Sequence, residues 1–348
     1  MTHNVSAFAT NFVTPRVQQA SLTVEKEVAD HTVSLSLLNV RGEHLIRALD
    51  VNLLPPTAAT YPLFDSTGSI FQGGYYTVNS FATWQFTRTL DCPWPPCINA
   101  LGRPIAQLGA IDEFQSAASS NYNGATLSIN HRVARGTYLR LSYTYARAMD
   151  DGQDALVAGQ PATVQNSYNP SAERGPSVTD QRQRVVAAVS AEPHPFHRGH
   201  ELLGRYFNDW KISTIVNYGS GRPVNATVSG DPNQDGNDLN DRLPGYSRNA
   251  FTGPDYATAD LRLTRKIRLG ERCKIEFMAD AFNLFNRDNQ RVAITSNGLV
   301  TTASMFVPNS VTAGIAPYPG YYTLPNNFMK PNAAFAPRQV QVGVKLVY

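Results

Sequence analysis

Apolar and polar residues alternate with a period of two along much of this chain, and the clearest example is its last ten residues. Val340, Val342, Val344, Leu346 and Tyr348 alternate with single residues, and Gln339, Gln341, Gly343 and Lys345 lie on the opposite face. Successive side chains of a β-strand point to opposite faces of the sheet. This pattern therefore predicts a strand with one apolar face that continues to the last residue.

The same alternation recurs in pairs of segments that are separated by short turns, which predicts β-hairpins. The three clear pairs are Gln19–Glu25 with Val33–Leu37, Ala125–Asn130 with Leu139–Tyr145, and Ala257–Thr264 with Ile275–Ala281. Two weaker runs, Val185–Ala191 and Trp210–Tyr218, form a fourth pair. Together with the final strand, these segments predict an antiparallel all-β chain of roughly nine strands.

Long segments rich in Gly, Pro, Asn and Asp separate the hairpins, at 42–120, 150–180, 220–254 and 287–336. Compact soluble domains rarely contain structureless loops of this length. Outer-membrane β-barrels combine short periplasmic turns with long extracellular loops, which is the asymmetry seen here. The sequence therefore favours part of a transmembrane β-barrel whose last residue lies in the periplasm.

Charged residues of the best strands are all expected on the polar face, away from lipid: Glu25, Arg140, Asp260, Arg262, Glu276, Asp280 and Lys345. A charge near the middle of the lipid face is unfavourable, so this distribution suits a barrel. Tyr143, Tyr145, Trp210, Tyr218, Phe285 and Tyr348 lie near strand ends, as aromatic girdles do. The alternative is a soluble antiparallel sheet with one solvated face, which gives the same alternation.

Charge and hydropathy exclude two classes of protein. A net charge of +3 without long Lys/Arg runs gives no electrostatic basis for binding nucleic acid. No segment approaches the roughly 18 consecutive apolar residues of a membrane-spanning helix. The start at Met1 lacks the basic and apolar regions of a signal peptide. Either the chain is a fragment or a truncated reading frame of an exported protein, or the membrane interpretation is wrong.

Several segments resemble the strands and loops of Oar-like TonB-dependent receptors, in the same order along the chain. They include 120–127 (SNYNGATL), 141–152 (LSYTYARAMDDG), 206–213 (YFNDWKIS), 219–223 (GSGRP), 238–242 (DLNDR), 281–286 (AFNLFN) and 337–348 (PRQVQVGVKLVY). Two earlier segments, 14–26 and 41–45, are similar to strands in the middle of that barrel. The resemblance covers nearly the whole chain.

That resemblance implies a large barrel of about 22 strands with an N-terminal plug and a box that contacts TonB. No plug, TonB box or signal peptide is found in the sequence, so residues 1–348 resemble the C-terminal segment of such a barrel. The implied partners are outer-membrane lipid, the remaining N-terminal barrel and plug, a TonB-type energising complex and an unknown extracellular ligand. The implied location is the cell outer membrane.

The sharpest chemical motif is the segment Asp231–Asp241, DPNQDGNDLND, which matches the opening D-x-N-x-D-G of a calcium loop. Arg242 occupies the twelfth position, where such loops place a bidentate Glu. A solvated, mobile and metal-free extracellular loop, held by Asx turns, is the better prediction.

Other clusters give no stronger prediction. His194, His197 and His200 lie among prolines that break a helix, so a turn is favoured over a metal site. Cys92 and Cys97 allow either a local disulfide or two free thiols, and Cys273 stands alone. No nucleophile elbow, Walker loop or dinucleotide fingerprint is present. We therefore assign no catalytic, cofactor-binding or metal-binding residues and expect no enzyme.

The function that follows is solute uptake or ligand reception at the cell surface by part of a TonB-dependent receptor. The alternative is a secreted or surface-attached β-structural or adhesion protein without transport activity. The sequence does not identify the ligand, because similar barrels serve many solutes.

Overall fold

The structure is a computed structural model that describes residues 3–81, 84–87, 97–100, 103–133, 137–152, 164–193, 208–269, 273–292, 300–308, 320–324 and 328–348. The described residues form β-strands and one short 3-10 helix, Pro170–Glu173. Among the described residues, no helix is long and apolar enough to cross a membrane.

The strands in the first half of the chain are β1 (His3–Phe8), β2 (Arg16–Val28), β3 (His31–Asp50), β4 (Thr57–Phe64), β5 (Phe71–Ser80), β6 (Trp84–Thr87), β7 (Cys97–Ala100), β8 (Leu108–Val133), β9 (Thr137–Asp150) and β10 (Gly175–Pro176). Those in the second half are β11 (Gln183–Ala191), β12 (Trp210–Gly219), β13 (Pro223–Ser229), β14 (Phe251–Thr252), β15 (Tyr256–Arg268), β16 (Lys274–Phe282), β17 (Gln290–Arg291), β18 (Val300–Pro308), β19 (Gly320–Thr323), β20 (Ala333–Ala334) and β21 (Gln339–Val347).

The largest sheet, called the main sheet below, runs β2-β3-β8-β9-β11-β12-β15-β16-β21, with β1 and β10 joined at its side. All eight pairings along this path are antiparallel, and the strands follow one another in chain order. The nine predicted strands are therefore confirmed. In the described residues β2 and β21 do not pair with each other, so the sheet is an open part of a barrel.

The predicted hairpins are confirmed in register. Val24 pairs with Leu35, and Leu127 pairs with Tyr143. Met278 pairs with Gly343, so the last strand, β21, is hydrogen-bonded to β16. Because cross-strand partners share a face, the alternation of each strand continues across its neighbours.

The two ends of the main sheet differ. The β2–β3, β8–β9 and β15–β16 turns lie at one end, called the short-turn end, where Val347 also pairs with Lys274. Long connections join β3 to β8, β9 to β11, β12 to β15 and β16 to β21 at the other end, called the long-loop end. The predicted asymmetry of short turns and long loops is thus present.

The prediction that the long segments lack strands is wrong. Three of the four connections contribute strands to a second sheet, called the cap sheet below, in the order β14-β13-β18-β19-β4-β5. Two of its pairings, β13 with β18 and β19 with β4, are parallel and join distant parts of the chain. The β13–β18 and β19–β4 pairings join the three connections, so each connection obtains hydrogen bonds and buried contacts from another one.

The core of the cap sheet is aromatic. Tyr61, Val228, Phe306 and Tyr322 are buried together, and the ring of Tyr61 lies 4.8 Å from that of Phe306 between centroids. The hydroxyl of Tyr61 donates to the carbonyl of Pro232 at 3.2 Å. This core fixes the long connections on one another and on the loop that follows β13.

Candidate functional site

One face of the main sheet carries a continuous apolar surface. The register aligns apolar residues of successive strands in rows, one of which consists of Val24, Leu35, Leu127, Tyr143, Val185, Tyr218 and Ala257. Many of these side chains are exposed, up to 83% for Val342 in the last strand. Such an extended apolar surface is unfavourable in water and favourable in lipid.

The opposite face is polar. The guanidinium of Arg262 donates to both carboxylate oxygens of Asp280, at 2.5 and 2.8 Å, and Gln341 donates to the same carboxylate at 3.1 Å. The register places all seven charged residues of the sequence prediction on this face. That prediction is confirmed.

Buried ion pairs connect the long loops. Arg242 donates to both carboxylate oxygens of Glu173, at 2.6 and 3.0 Å, and Arg248 pairs with Asp150. Both arginines lie in the β12–β15 connection, whereas their partners belong to the β9–β11 region. Burial lowers the pKa of Arg248 to about 10, so its guanidinium keeps its charge at neutral pH. Removing one member of such a pair would leave a buried charge without compensation.

The 231–241 segment is folded by its own side chains. Asp231 accepts the backbone N–H groups of Asp235 and Gly236, at 3.1 and 2.9 Å, and Asp235 accepts that of Asn237 at 2.7 Å. Arg103 donates to the carbonyl of Asp235 at 2.6 Å, which ties the segment to the β3–β8 connection. The predicted Asx-turn character is therefore present.

The prediction of a solvated loop is wrong for this segment. Asn233, Gln234, Asp235 and Asp241 are buried, and Asp241 is fully so. The residue at the twelfth position, Arg242, donates both of its hydrogen bonds to Glu173 and supplies no carboxylate to a cation. Within the described residues no three His, Cys, Asp or Glu side chains are grouped as a metal site would require.

Burial changes the acidity of two carboxyl groups in this segment. Desolvation, helped by the charge of Asp231, raises the pKa of Asp235 to about 7. Desolvation also raises the pKa of Asp241 well above its ordinary value, with the charges of Asp235 and Asp231 adding to the effect. A neutral carboxyl at Asp241 is the form that a dry interior favours.

A cavity of about 600 Å³ lies where the main sheet meets the long connections. Its floor includes Arg184 on β11, Asn217 on β12 and Tyr256 on β15, and the other side includes Arg222 and Arg291. Arg184, Asn217 and Tyr256 belong to the polar face, because the alternate residues Val185, Tyr218 and Ala257 lie in the apolar row. The cavity therefore opens on the polar side of the sheet.

The model of the outer membrane beta barrel domain matches residues 1–245 and 245–341 of this chain. The chain belongs to this family. A membrane barrel of this kind exposes its apolar face to lipid and its polar face to the interior. The apolar row of this barrel domain is thus its lipid face, its polar face lines the interior, and its location is the cell outer membrane.

Solved structures to which this chain is similar include the FrpB iron transporter from Neisseria meningitidis, F3-3 variant, with a TM-score of 0.44 and 11% identity over 99% of this chain and 33% of that chain. The outer membrane transporter YddB from Escherichia coli has a TM-score of 0.45 and 10% identity over 86% of this chain and 32% of that chain. This barrel domain thus spans about a third of the length of either structure. No curated protein matches it.

Aromatic residues of the barrel domain lie at both ends of the lipid face. Trp210 begins β12 at the short-turn end, where the guanidinium of Arg265 lies 5.5 Å from its ring centroid. Tyr218 lies at the opposite end of the same strand, and Tyr348 follows β21. These positions agree with the predicted girdles, because amphipathic rings favour the lipid–water boundary.

Some predicted clusters lie outside the described residues, among them His194, His197 and His200, and also Cys92 of the Cys92–Cys97 pair. Cys273 is a half-buried free thiol. The three cavity arginines were not predicted from the sequence. Only the segment Gly219–Pro223, noted for its resemblance to a family, contains one of them, and no periodic signal marks Arg184 or Arg291.

Proposed function

We propose that this chain is the C-terminal part of the barrel of an Oar-like TonB-dependent receptor and takes part in solute uptake or ligand reception at the cell surface. The observation that carries the proposal is the open main sheet, whose lipid face and polar interior face require further strands for closure. The ordered resemblance of its segments to that receptor type supports the same assignment. The proposal gives the chain no catalytic role.

The long-loop end supports a role in reception rather than in structure alone. Tight turns are sufficient to connect the strands of a barrel, yet here the connections fold into a cap sheet with its own buried core. At the same end, the ion pairs Arg103–Asp50, Arg242–Glu173 and Arg248–Asp150 hold the loops to one another and to the ends of β3 and β9. A fixed loop arrangement is what a selective binding surface requires, because less ordering entropy is lost when the ligand binds.

The test is a comparison of solute depletion from the medium by three strains of the source organism. One is wild type, one lacks the segment that encodes this chain, and one lacks the TonB-type energising complex. We expect at least one solute whose uptake is lost in both mutants and is restored when the segment is returned. Uptake that needs this chain but persists without the energising complex would instead indicate a passive pore. Unchanged uptake together with a loss of surface attachment would favour an adhesion protein.

A further inference from the structure

The cavity between the main sheet and the long connections contains an unusual concentration of positive charge. Arg184, Arg222 and Arg291 line it, and none of its described lining residues is an Asp or a Glu. The described ion pairs include none of these three arginines, although they include Arg103, Arg242, Arg248 and Arg287 from the same end of the molecule. Within the described part of the chain, these three arginines thus have no acidic partner, whereas the four neighbouring arginines do.

The geometry leaves the guanidinium groups able to donate hydrogen bonds. The guanidinium of Arg291 stacks on the ring of Phe335, 4.8 Å from its centroid. Stacking occupies the flat face of a guanidinium and leaves its N–H edge open to a carboxylate or phosphate. Arg184 and Arg222 are exposed toward the cavity side, so a ligand from solution can reach them.

The backbone around Arg222 is held in place by close approach. A Cβ on Gly221 would collide with the carbonyl oxygen of Gly253, and one on Gly219 would collide with the side-chain amide of Gln181. The backbone N–H of Gly253 also donates to the carbonyl of Arg222 at 2.9 Å. These contacts fix where β13 begins and therefore where the Arg222 side chain leaves the backbone.

We propose that this cavity binds a small polyanion, a molecule with two or more carboxylate or phosphate groups. Its volume of about 600 Å³ suits a small molecule rather than a chain segment of another protein. Tyr256 and Phe335 add aromatic surface, so the ligand class includes anions with an apolar or aromatic framework. The inference rests on the proposed function only in treating this anion as the solute that the receptor takes up.

Binding is tested on the purified receptor that contains this chain, by calorimetry in detergent. The carboxylate probe is benzene-1,3,5-tricarboxylate, the phosphate probe is pyrophosphate, and the neutral control is benzene-1,3,5-trimethanol. We expect one or both anions to bind and the neutral analogue not to bind. The anion that binds more tightly shows whether the cavity prefers carboxylate or phosphate groups.

Arg184→Gln, Arg222→Gln and Arg291→Gln should each weaken anion binding by about tenfold or more, because each removes a charge-assisted hydrogen bond. The matched control is Arg268→Gln, at the short-turn end, where Arg268 is 79% exposed and pairs with Asp209. It removes the same charge and should leave the affinity unchanged. Heat-modifiable migration in gels verifies that each variant is folded.

Three results would overturn the inference: no binding of either anion, equal binding of the neutral analogue, or wild-type affinity in all three cavity variants. Uptake measured in parallel separates this inference from the proposed function. Absence of anion binding together with intact uptake of another solute contradicts only the proposed anion site. Intact anion binding without any uptake contradicts only the transport role.

Discussion

The main sheet and the cap sheet are stabilised in opposite ways. The main sheet pairs strands in their order along the chain, and its apolar side chains are exposed on the outer face. The cap sheet joins three distant connections and buries an aromatic core. The first relies on lipid to cover its apolar face, whereas the second supplies its own cover. The difference shows that one chain can provide a membrane-spanning sheet and, in its long connections, a second sheet with a small buried core of its own.

The largest expected effect concerns the open edges of the main sheet. Residues 1–348 alone should not form a stable conducting monomer, because bacterial single-chain barrels have an even number of strands and the path of the main sheet contains nine in the described residues. Each unpaired backbone group in lipid costs several kcal/mol, so two open edges exceed the ~5–15 kcal/mol stability of a typical domain. Reconstitution in detergent and planar bilayers measures this. A monodisperse monomer with steady single-channel conductance would contradict it.

The next effect should be confined to the cap sheet. Tyr61→Ala removes a fully buried ring that contacts Phe306 and should cost about 3–5 kcal/mol there. Proteolysis of the long loops should accelerate, while the heat-modifiable migration of the barrel should not change. Tyr75→Ala is the control, because Tyr75 lies in the same sheet and is 51% exposed. If Tyr61→Ala also abolished heat-modifiable migration, the two sheets would not be independent.

A charge on the lipid face tests the main sheet in the same manner. Val344→Arg in the full receptor should cost about 2–4 kcal/mol, because Val344 belongs to the lipid face. Gly343→Arg is the matched control on the interior face, where a Cβ at this position would meet the Met278 side chain at an ordinary contact distance. Assembly in the outer membrane is measured by heat-modifiable migration. Equal impairment by the two substitutions would show that the faces are assigned the wrong way round.

The two sheets also differ in how far the sequence predicts them. Strands such as β16 and β21 are visible because lipid on one side and polar surroundings on the other impose a local alternation. The cap sheet was missed because β4 contains Pro62 and has no clear alternation, and because β13 pairs with β18 across a long separation. Its stability comes from packing that no local pattern encodes.

The candidate sites show the same division. The motif at Asp231 was visible in the sequence and its Asx turns were expected, but its burial was not, because burial depends on Tyr61 and on loops from elsewhere in the chain. The cavity arginines come from β11, from the residue before β13 and from β17, so only the fold brings them together.

A smaller effect is expected from pH, again at the long-loop end. The pKa of Asp235 is raised to about 7 in the folded protein, above its ordinary value, so the folded state binds the proton more tightly than the unfolded state. Stability is therefore greatest at low pH and falls as pH rises from about 4 to about 7. We expect a loss of about 2–3 kcal/mol in local stability between pH 5 and pH 8.

Hydrogen exchange of the 231–249 segment, corrected for the intrinsic pH dependence of exchange, measures this change. A peptide within β9 serves as the internal reference, and Asp235→Asn should remove most of the pH dependence. A segment that becomes more protected as pH rises would contradict the sign of the effect.

The smallest expected effect is that of calcium on the 231–241 segment. The Asp231 carboxylate accepts two backbone N–H groups, and that of Asp235 accepts Asn233 and Asn240 side chains as well as a backbone N–H. The position that would supply a bidentate Glu is Arg242, whose charge is paired with Glu173. Calcium would have to displace these donors and ionise Asp241 in a buried position, so we expect affinity no tighter than about millimolar. Calorimetric titration of the purified receptor, with Asp231→Asn as the comparison, measures it. Tighter binding that this substitution abolishes would show that the hydrogen bonds of the segment rearrange around a cation, and the metal-free prediction would then be wrong.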